Sequence, residues 1–473
     1  MNDIDFPVSF MRMTKKSLFL ILWAGLTAFA LPAFAQDDDP VVLDSAVLRL
    51  ATFEVDVTPP VGTRLAYDTA INTWDMGLRA RGIVLLGAGS PVVLCAVDWI
   101  GIANGGQDAF KKAFAEAAGT IPGRVAVHTV HQHDAPICDF TSEQILREWG
   151  IDPQSFDGTF PRQSITRIAG EIKRSLKHAQ PVSFVGLGQA EVFRVASNRR
   201  ILGDDGRVRA TRYTACRDSA LRAEPEGLID PMVSLVSFWN GEKPIAVLSY
   251  YAVHPQSYYR TGIPNPDFPG VARFFRQLAV PEALHVHFNG AGGDLGAGKY
   301  NDGSKENRLR LAERLADGMK RAWEATCKEP VTASSVEWSV VPVTLAASDK
   351  IREPGTWIKE EAPGYQTNTI FKMAWKQRLE EGRQIDVACL GIGNVRILHL
   401  PGELFVAYQL AAKAERPDLF VTVAAYGDYG PGYIGTAEAY RQGGYETGEA
   451  SGVTPQAETV LMAAIRKLLR QDE

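Results

Sequence analysis

The chain has 473 residues, a formal charge of −5, 45% hydrophobic residues and five cysteines. That apolar content is ample for a packed core, and the lack of any basic block argues against a nucleic-acid partner. The cysteines (Cys95, Cys138, Cys216, Cys327, Cys389) form no C-x-x-C pair, which argues against a thiolate zinc site. An exported location would allow one or two disulfides, which spacing does not assign.

Arg12, Lys15 and Lys16 precede an apolar stretch over residues 18–31, and Ala33-Phe34-Ala35 gives a small-residue cleavage pattern. This predicts a signal peptide over residues 1–35 and a mature start at Gln36, hence a secreted or periplasmic protein. The apolar stretch is too short for a stable membrane span. Residues 36–46 are acidic and expected to be disordered, and residues 47–473 are expected to form one domain. Strand and helix signals alternate along it: a strand over 91–97, a helix over 108–118, a strand over Val125–Thr129 and a helix over 165–179. A strand over 244–250, a helix over 268–278 and a strand over 284–288 follow, the last running into the glycine-rich segment 289–294. Ser304 is the expected N-cap of a long helix carrying Leu311, Leu315, Met319 and Ala322. Residues 334–345 and 387–400 are strand-rich, Glu403 is expected to open a helix after Pro401-Gly402, and a last helix is expected over 455–469. The fold class is therefore α/β: a single large domain, its mixed β-sheet flanked by helices, with polar residues and a metal site at strand ends.

His128, His131 and His133 lie within six residues, where the strand Val125–Thr129 gives way to Asp134-Ala135-Pro136. Imidazole is the commonest neutral metal ligand and a general base near neutral pH. Residues i and i+2 of an extended segment point the same way, so His131 and His133 are placed to serve one site. His254 likewise closes an apolar strand just before Pro255. Taken singly, other readings hold: Glu403 as an acid favoured at a helix N-terminus, Tyr433 as a core or loop tyrosine, Arg199 as half of a surface ion pair. His128, His285, His287 and His399 read as fold residues, and His178 as exposed.

Val130-His131-Gln132-His133, Ala252-Val253-His254-Pro255, Leu400-Pro401-Gly402-Glu403 and Gly432-Tyr433-Ile434-Gly435-Thr436, in that order, resemble the catalytic domain of the neutral/alkaline non-lysosomal ceramidases. Those are zinc amidases that split the N-acyl bond of ceramide. The likeness begins near Ala51-Thr52-Phe53-Glu54-Val55-Asp56-Val57-Thr58-Pro59-Pro60 and includes Arg79-Ala80-Arg81 and Tyr445-Glu446. It implies that His131, His254, Glu403 and Tyr433 hold Zn2+. It also implies that His133 carries a proton, and that Arg199 and Tyr445 support the carbonyl oxygen. The expected substrate is a small molecule or lipid with an N-acyl group, with room for peripheral membrane contact.

The family's Gly-Asp-x-Ser-Pro-Asn segment is matched here by Gly293-Asp294-Leu295-Gly296-Ala297-Gly298. Gly296 stands at the serine position, so metal-activated water is the simpler nucleophile and ceramide specificity is open. The chain ends soon after Tyr445, so the family's C-terminal immunoglobulin-like domain is not expected. An esterase or lipid deacylase on the same site, and a catalytically silent zinc protein binding a lipid or glycan, are the alternatives. His133, Arg199 and Tyr445 together speak against the silent reading, since a binder needs no proton carrier or oxyanion donors.

Overall fold

Three sheets organise the chain. The strand order of the first is Val125–Thr129, Gly89–Val97, Arg79–Gly87, Arg49–Asp56, Gln180–Pro181. The second runs Leu284–Asn289, Lys243–Tyr251, Met232–Asn240, Phe184–Glu191, Cys327–Pro330. The third runs Val336–Val343, Ile385–Ile392, Val395–His399, Phe420–Ala424. The computed structural model describes residues 47–351 and 363–470; the expected signal peptide and acidic stretch lie outside the described residues.

Each sheet contains one parallel pair among otherwise antiparallel neighbours. The pairs are Gly89–Val97 with Val125–Thr129, Lys243–Tyr251 with Leu284–Asn289, and Val395–His399 with Phe420–Ala424. A parallel pair needs a crossover, and the helices Asn104–Ala118, Asp267–Ala279 and Val406–Glu415 lie in those three connections. The inner faces of the sheets share one core: Leu94 and Ala126 of the first meet Leu248 and Phe288 of the second and Leu390 and Ile397 of the third. Helices cover the outer faces, which is why strands such as Arg79–Gly87 are buried on both sides and read as continuous apolar runs. Helix Glu306–Glu324 buries Leu311, Leu315, Met319 and Ala322 against the second sheet. Each such leucine contributes about 1.5–3 kcal/mol of transfer free energy.

The carboxyl ends of the three parallel pairs are stitched together. Thr129 donates its amide to Tyr426 O at 3.0 Å, and Ala425 donates to Asn289 O at 2.9 Å. The Asn289 side-chain amide donates to Val130 O at 3.2 Å. Loops leaving parallel strands at one point are where open α/β sheets place their ligands, and the polar strand ends noted in the sequence meet there.

The mixed α/β expectation holds, and most elements fall within a few residues of where periodicity puts them. Two local expectations are corrected. Glu403 does not open a helix; it lies in the two-residue strand Glu403–Leu404, and the helix begins at Val406. Ser304 is not the N-cap of the long helix, which starts at Glu306 after Lys305. Asp302 takes the Ser304 amide at 2.9 Å and the Asn307 side chain at 2.8 Å, so the turn before the helix is built on Asp302. All five cysteines are free, Cys327 exposed and the others buried. Among the described residues no helix is long and apolar enough to cross a membrane.

Candidate metal centre

His131 follows the strand Val125–Thr129 by two residues, in a backbone conformation with φ of 73°. This is not the extended segment that the i, i+2 argument assumes. Few side chains other than glycine adopt it without strain. The surrounding bonds impose it: the Val130 and His131 amides donate to Val97 O and Trp99 O, each at 2.9 Å. The imidazole Nδ1 lies 2.6 Å from Ile100 O, a carbonyl that can only accept, so Nδ1 carries a proton and Nε2 is the nitrogen turned to the site. The ring stacks on Tyr426 with centroids 4.4 Å apart.

His254 comes from the second sheet. Its Nε2 lies 3.3 Å from His131 Nε2 and 3.4 Å from His133 Nε2. All three rings are buried, and His131, His133 and His254 form a group able to hold a metal ion. Burial first, then the neighbouring charge, holds the His133 and His254 pKa values well below that of a free imidazole, so both rings present neutral nitrogens. A proton on His254 Nε2 can serve one facing nitrogen well; a cation serves all.

Glu403 lies four residues beyond the third sheet's strand Val395–His399, in a separate two-stranded pairing. Its Oε2 lies 3.2 Å from His131 Nε2 and 3.8 Å from His254 Nδ1, yet no hydrogen bond reaches that oxygen. Its Oε1 accepts from the Tyr429 hydroxyl at 2.6 Å. Burial alone would raise the Glu403 pKa, but His131, the Tyr429 hydroxyl and Arg199 outweigh it and lower the value below an ordinary glutamate. Ligands about 2.0–2.1 Å from a tetrahedral zinc lie about 3.3–3.4 Å apart. The 3.3 Å His131–His254 edge and the 3.2 Å His131–Glu403 edge match that spacing. The facing imidazole nitrogens and the Glu403 carboxylate oxygen therefore fit a divalent ion.

The strand Glu403–Leu404 pairs in parallel with Tyr433–Ile434, setting Glu403 opposite Tyr433. Gly402 makes this possible: its φ is 62°, and a Cβ there would stand 2.7 Å from Gly432 O. The Tyr433 ring lies parallel to His254 with centroids 6.5 Å apart, and its hydroxyl is 3.3 Å from that of Tyr445. Burial pushes the Tyr433 pKa well up and Arg199 draws it back. A phenolate ligand at this position would need the further pull of the metal.

Arg199 is not half of a surface pair. It is 1% exposed, its Nε donates to Glu446 Oε1 at 2.9 Å, and its Nη2 donates to Gly293 O at 2.5 Å. Its guanidinium carbon lies 5.1 Å from the centre of the Tyr433 ring and 5.0 Å from that of Tyr445. Gly293 must be glycine for the segment to reach the site, since a Cβ would lie 2.3 Å from Glu403 O. Of the residues expected to form the site, His131, His133 and His254 make up the metal-capable group, Glu403 Oε2 lies 3.2 Å from His131 Nε2, and Tyr433, Arg199 and Tyr445 lie beside them.

Sequence reasoning missed Tyr429, which holds Glu403, and Tyr426, which backs His131. The run Tyr426-Gly427-Asp428-Tyr429-Gly430-Pro431-Gly432-Tyr433 was the available signal, three tyrosines set among glycines. His128 is structural as expected: its Nδ1 lies 2.8 Å from Ala425 O and its Nε2 lies 2.9 Å from His399 Nδ1. His287 lies 2.9 Å from Ser249 Oγ, and His178 is exposed. At Gly296 a Cβ would meet Thr214 Cβ at 3.3 Å, and at Gly298 it would stand 2.1 Å from Tyr213 O. The segment Tyr213-Thr214 thus packs directly over these two glycines.

No family model matches the chain, and no curated protein matches it. Solved structures do share its fold. A ceramidase complexed with C2 aligns with a TM-score of 0.61 at 18% identity, over 89% of this chain and 74% of that one. The neutral ceramidase from Pseudomonas aeruginosa aligns with a TM-score of 0.59 at 19% identity, over 90% of this chain and 74% of that one. At such identities the likeness is one of fold: the chain has a ceramidase-like α/β architecture with a metal-capable histidine group at its centre.

Proposed function

We propose that this protein is an exported, zinc-dependent hydrolase of an N-acyl amide bond. The observation that carries the proposal is the meeting of His131, His254 and Glu403, each just beyond a strand of a different sheet, with the His131–His254 and His131–Glu403 edges at the spacing of tetrahedral ligands. Tyr433 is proposed as the fourth ligand. When bound, zinc supplies an acidified water and a Lewis acid for a carbonyl oxygen. His133, kept neutral by burial, takes the proton of the attacking water and returns it to the departing amine. Arg199, anchored by Glu446 and Gly293 O, and the Tyr445 hydroxyl donate to the oxygen that becomes negative in the tetrahedral intermediate. With Gly296 at the serine position, no side-chain hydroxyl on that residue competes with water as nucleophile. The ceramidases among the matching folds, one of them complexed with C2, support an N-acyl lipid as substrate.

The test joins metal analysis of the purified protein to a screen of N-acyl substrates with and without zinc. The expected result is one zinc per chain, amide cleavage lost on chelation and restored by zinc, and loss of both metal and activity in His131→Ala and His254→Ala. His128→Ala should keep its zinc, since the His128 ring bonds Ala425 O and His399 and is outside the ligand group. Unchanged zinc content in His131→Ala and His254→Ala would overturn the proposal.

A further inference from the structure

Above His133 the wall of the site continues outward as rings. Tyr67 lies parallel to the His133 imidazole, with centroids 5.6 Å apart and planes within 3°. Tyr259 meets Tyr67 edge-on at 5.1 Å and His133 at 5.5 Å. Tyr67 is 40% exposed, so this pair forms part of the rim that solvent reaches. The exposed Arg260 sets its guanidinium over both rings, 5.6 Å from the centre of Tyr67 and 5.4 Å from that of Tyr259.

The backbone at Arg260 has φ of 64°, a conformation that costs an arginine free energy and persists only where its surroundings impose it. Here two carboxylates do so. Asp134, the residue after His133, accepts from the Arg260 amide at 2.8 Å, the Thr261 amide at 3.3 Å and the Thr261 hydroxyl at 2.8 Å. Asp68, the residue after Tyr67, accepts from the Gly262 amide at 2.7 Å. Asp134 and Asp68 are thus bonded to the backbone of this loop, and Asp68 is near enough for Arg260 to act on its charge without a direct ion pair. No described acid forms an ion pair with the guanidinium. A planar cation, its orientation set by two rings, is left facing solvent one ring beyond His133. Guanidinium in such a setting is suited to carboxylate, sulfonate or phosphate oxygens.

We propose that Arg260 selects substrates that carry an anionic group near the scissile amide, making N-acyl amines bearing an acid the preferred class. The inference rests on the amide-hydrolase reading above. The test uses three compounds with one acyl chain: N-dodecanoylglycine, N-dodecanoyltaurine and the neutral N-dodecanoylglycinamide. Zinc-loaded wild type is compared with Arg260→Gly and Arg260→Lys. Glycine adopts the φ of residue 260 freely, so Arg260→Gly retains the loop. Charge-assisted hydrogen bonds of this kind discriminate by about tenfold to a hundredfold. The expected result is that wild type prefers an acidic substrate over the neutral one by that factor in kcat/KM. Arg260→Gly should erase the preference through KM, and Arg260→Lys should restore part of it. A preference for the glycine compound assigns a carboxylate, and one for the taurine compound assigns a sulfonate-like or phosphate-like group. Equal turnover of all three by wild type, or a preference that survives Arg260→Gly, would overturn the proposal. If none of the three is cleaved, the substrate screen above decides the amide-hydrolase reading, and equilibrium binding of the same compounds decides the role of Arg260. Tighter binding of an acid that is lost in Arg260→Gly supports it, and equal binding refutes it.

Discussion

Glu446 is fully buried and holds two arginines at once, Arg199 Nε at 2.9 Å and Arg200 Nη1 at 3.1 Å. Truncating it to alanine leaves both guanidiniums in the interior without their counter-ion. Removing one partner of a buried ion pair costs about 3–5 kcal/mol. Arg200 keeps the carbonyls of Ala439 and Gly443, and Arg199 keeps that of Gly293, so the loss is expected within that range rather than twice it. Glu446→Gln retains the shape and one acceptor and should lose about half as much. The assay is urea unfolding of zinc-loaded protein, with turnover measured beside it. Because Arg199 is aimed by Glu446, Glu446→Gln should also lower kcat more than it raises KM, and the double variant with Arg199→Met should be less costly than the sum of the two. A Glu446→Ala protein within 1 kcal/mol of wild type, or strictly additive effects of the two substitutions, would refute the reasoning.

Gly402→Ala places a methyl against Gly432 O at a residue whose φ is 62°; it should cost about 2 kcal/mol or more and weaken zinc binding in a chelator competition, since Glu403 moves with it. Gly296→Ser should fold within about 1 kcal/mol of wild type, its Cβ meeting Thr214 at 3.3 Å, whereas Gly298→Ala, 2.1 Å from Tyr213 O, should be the more damaging of the two in thermal unfolding. Acid should destabilise the fold: burial above all lowers the pKa of His128 to about 4 and those of His285 and His287 to about 3. These values lie below that of a free imidazole, so the unfolded chain takes up protons first. The contribution of these histidines is complete above about pH 6.5 and falls by about 1.4 kcal/mol per pH unit per histidine below it, partly offset by Asp134, Asp139 and Asp294, whose burial raises their pKa values to about 6, 7 and 6. The urea midpoint at pH 5 should sit well under that at pH 7.5, and His285→Gln should flatten the slope; a midpoint independent of pH would count against buried neutral histidines.

The elements that the sequence displayed best are those whose signal is local. The strand Val125–Thr129 is a β-branched run bounded by turn residues, and its bounds in the structure are those read from the sequence. The helix carrying Leu311, Leu315 and Met319 shows its buried face as a period. The histidines were legible as chemistry because three of eight sit at one strand end. Glu403 was misread in its conformation because Pro-Gly-Glu carries the local signature of a helix N-terminus. Its two-residue strand exists only through pairing with Tyr433–Ile434, some 30 residues later. The partnership of Glu446 with Arg199 spans 247 residues, and nothing near either residue announces it.

One topological feature explains why the site is assembled from pieces that look ordinary alone. Each sheet contributes one parallel pair, and each pair ends in a loop that supplies a donor: His131 and His133 from the first, His254 from the second, Glu403 from the third. The strand ends are fixed by interior packing and by hydrogen bonds between the sheets, such as Ala425 to Asn289 and Asn289 to Val130. The donors therefore inherit their spacing from the core and not from one another. Three neutral or orphaned ligand atoms facing one another are unfavourable without a cation, so this preorganisation stores a cost that metal binding relieves. It follows that zinc should stabilise the protein, by about 2.7 kcal/mol at a hundredfold excess over its dissociation constant. A ligand substitution such as His254→Ala should remove that zinc-dependent gain while leaving the metal-free stability equal to or above that of wild type. The opposite ordering, a metal-free His254→Ala protein much weaker than metal-free wild type, would mean that the histidine holds the fold together rather than the ion.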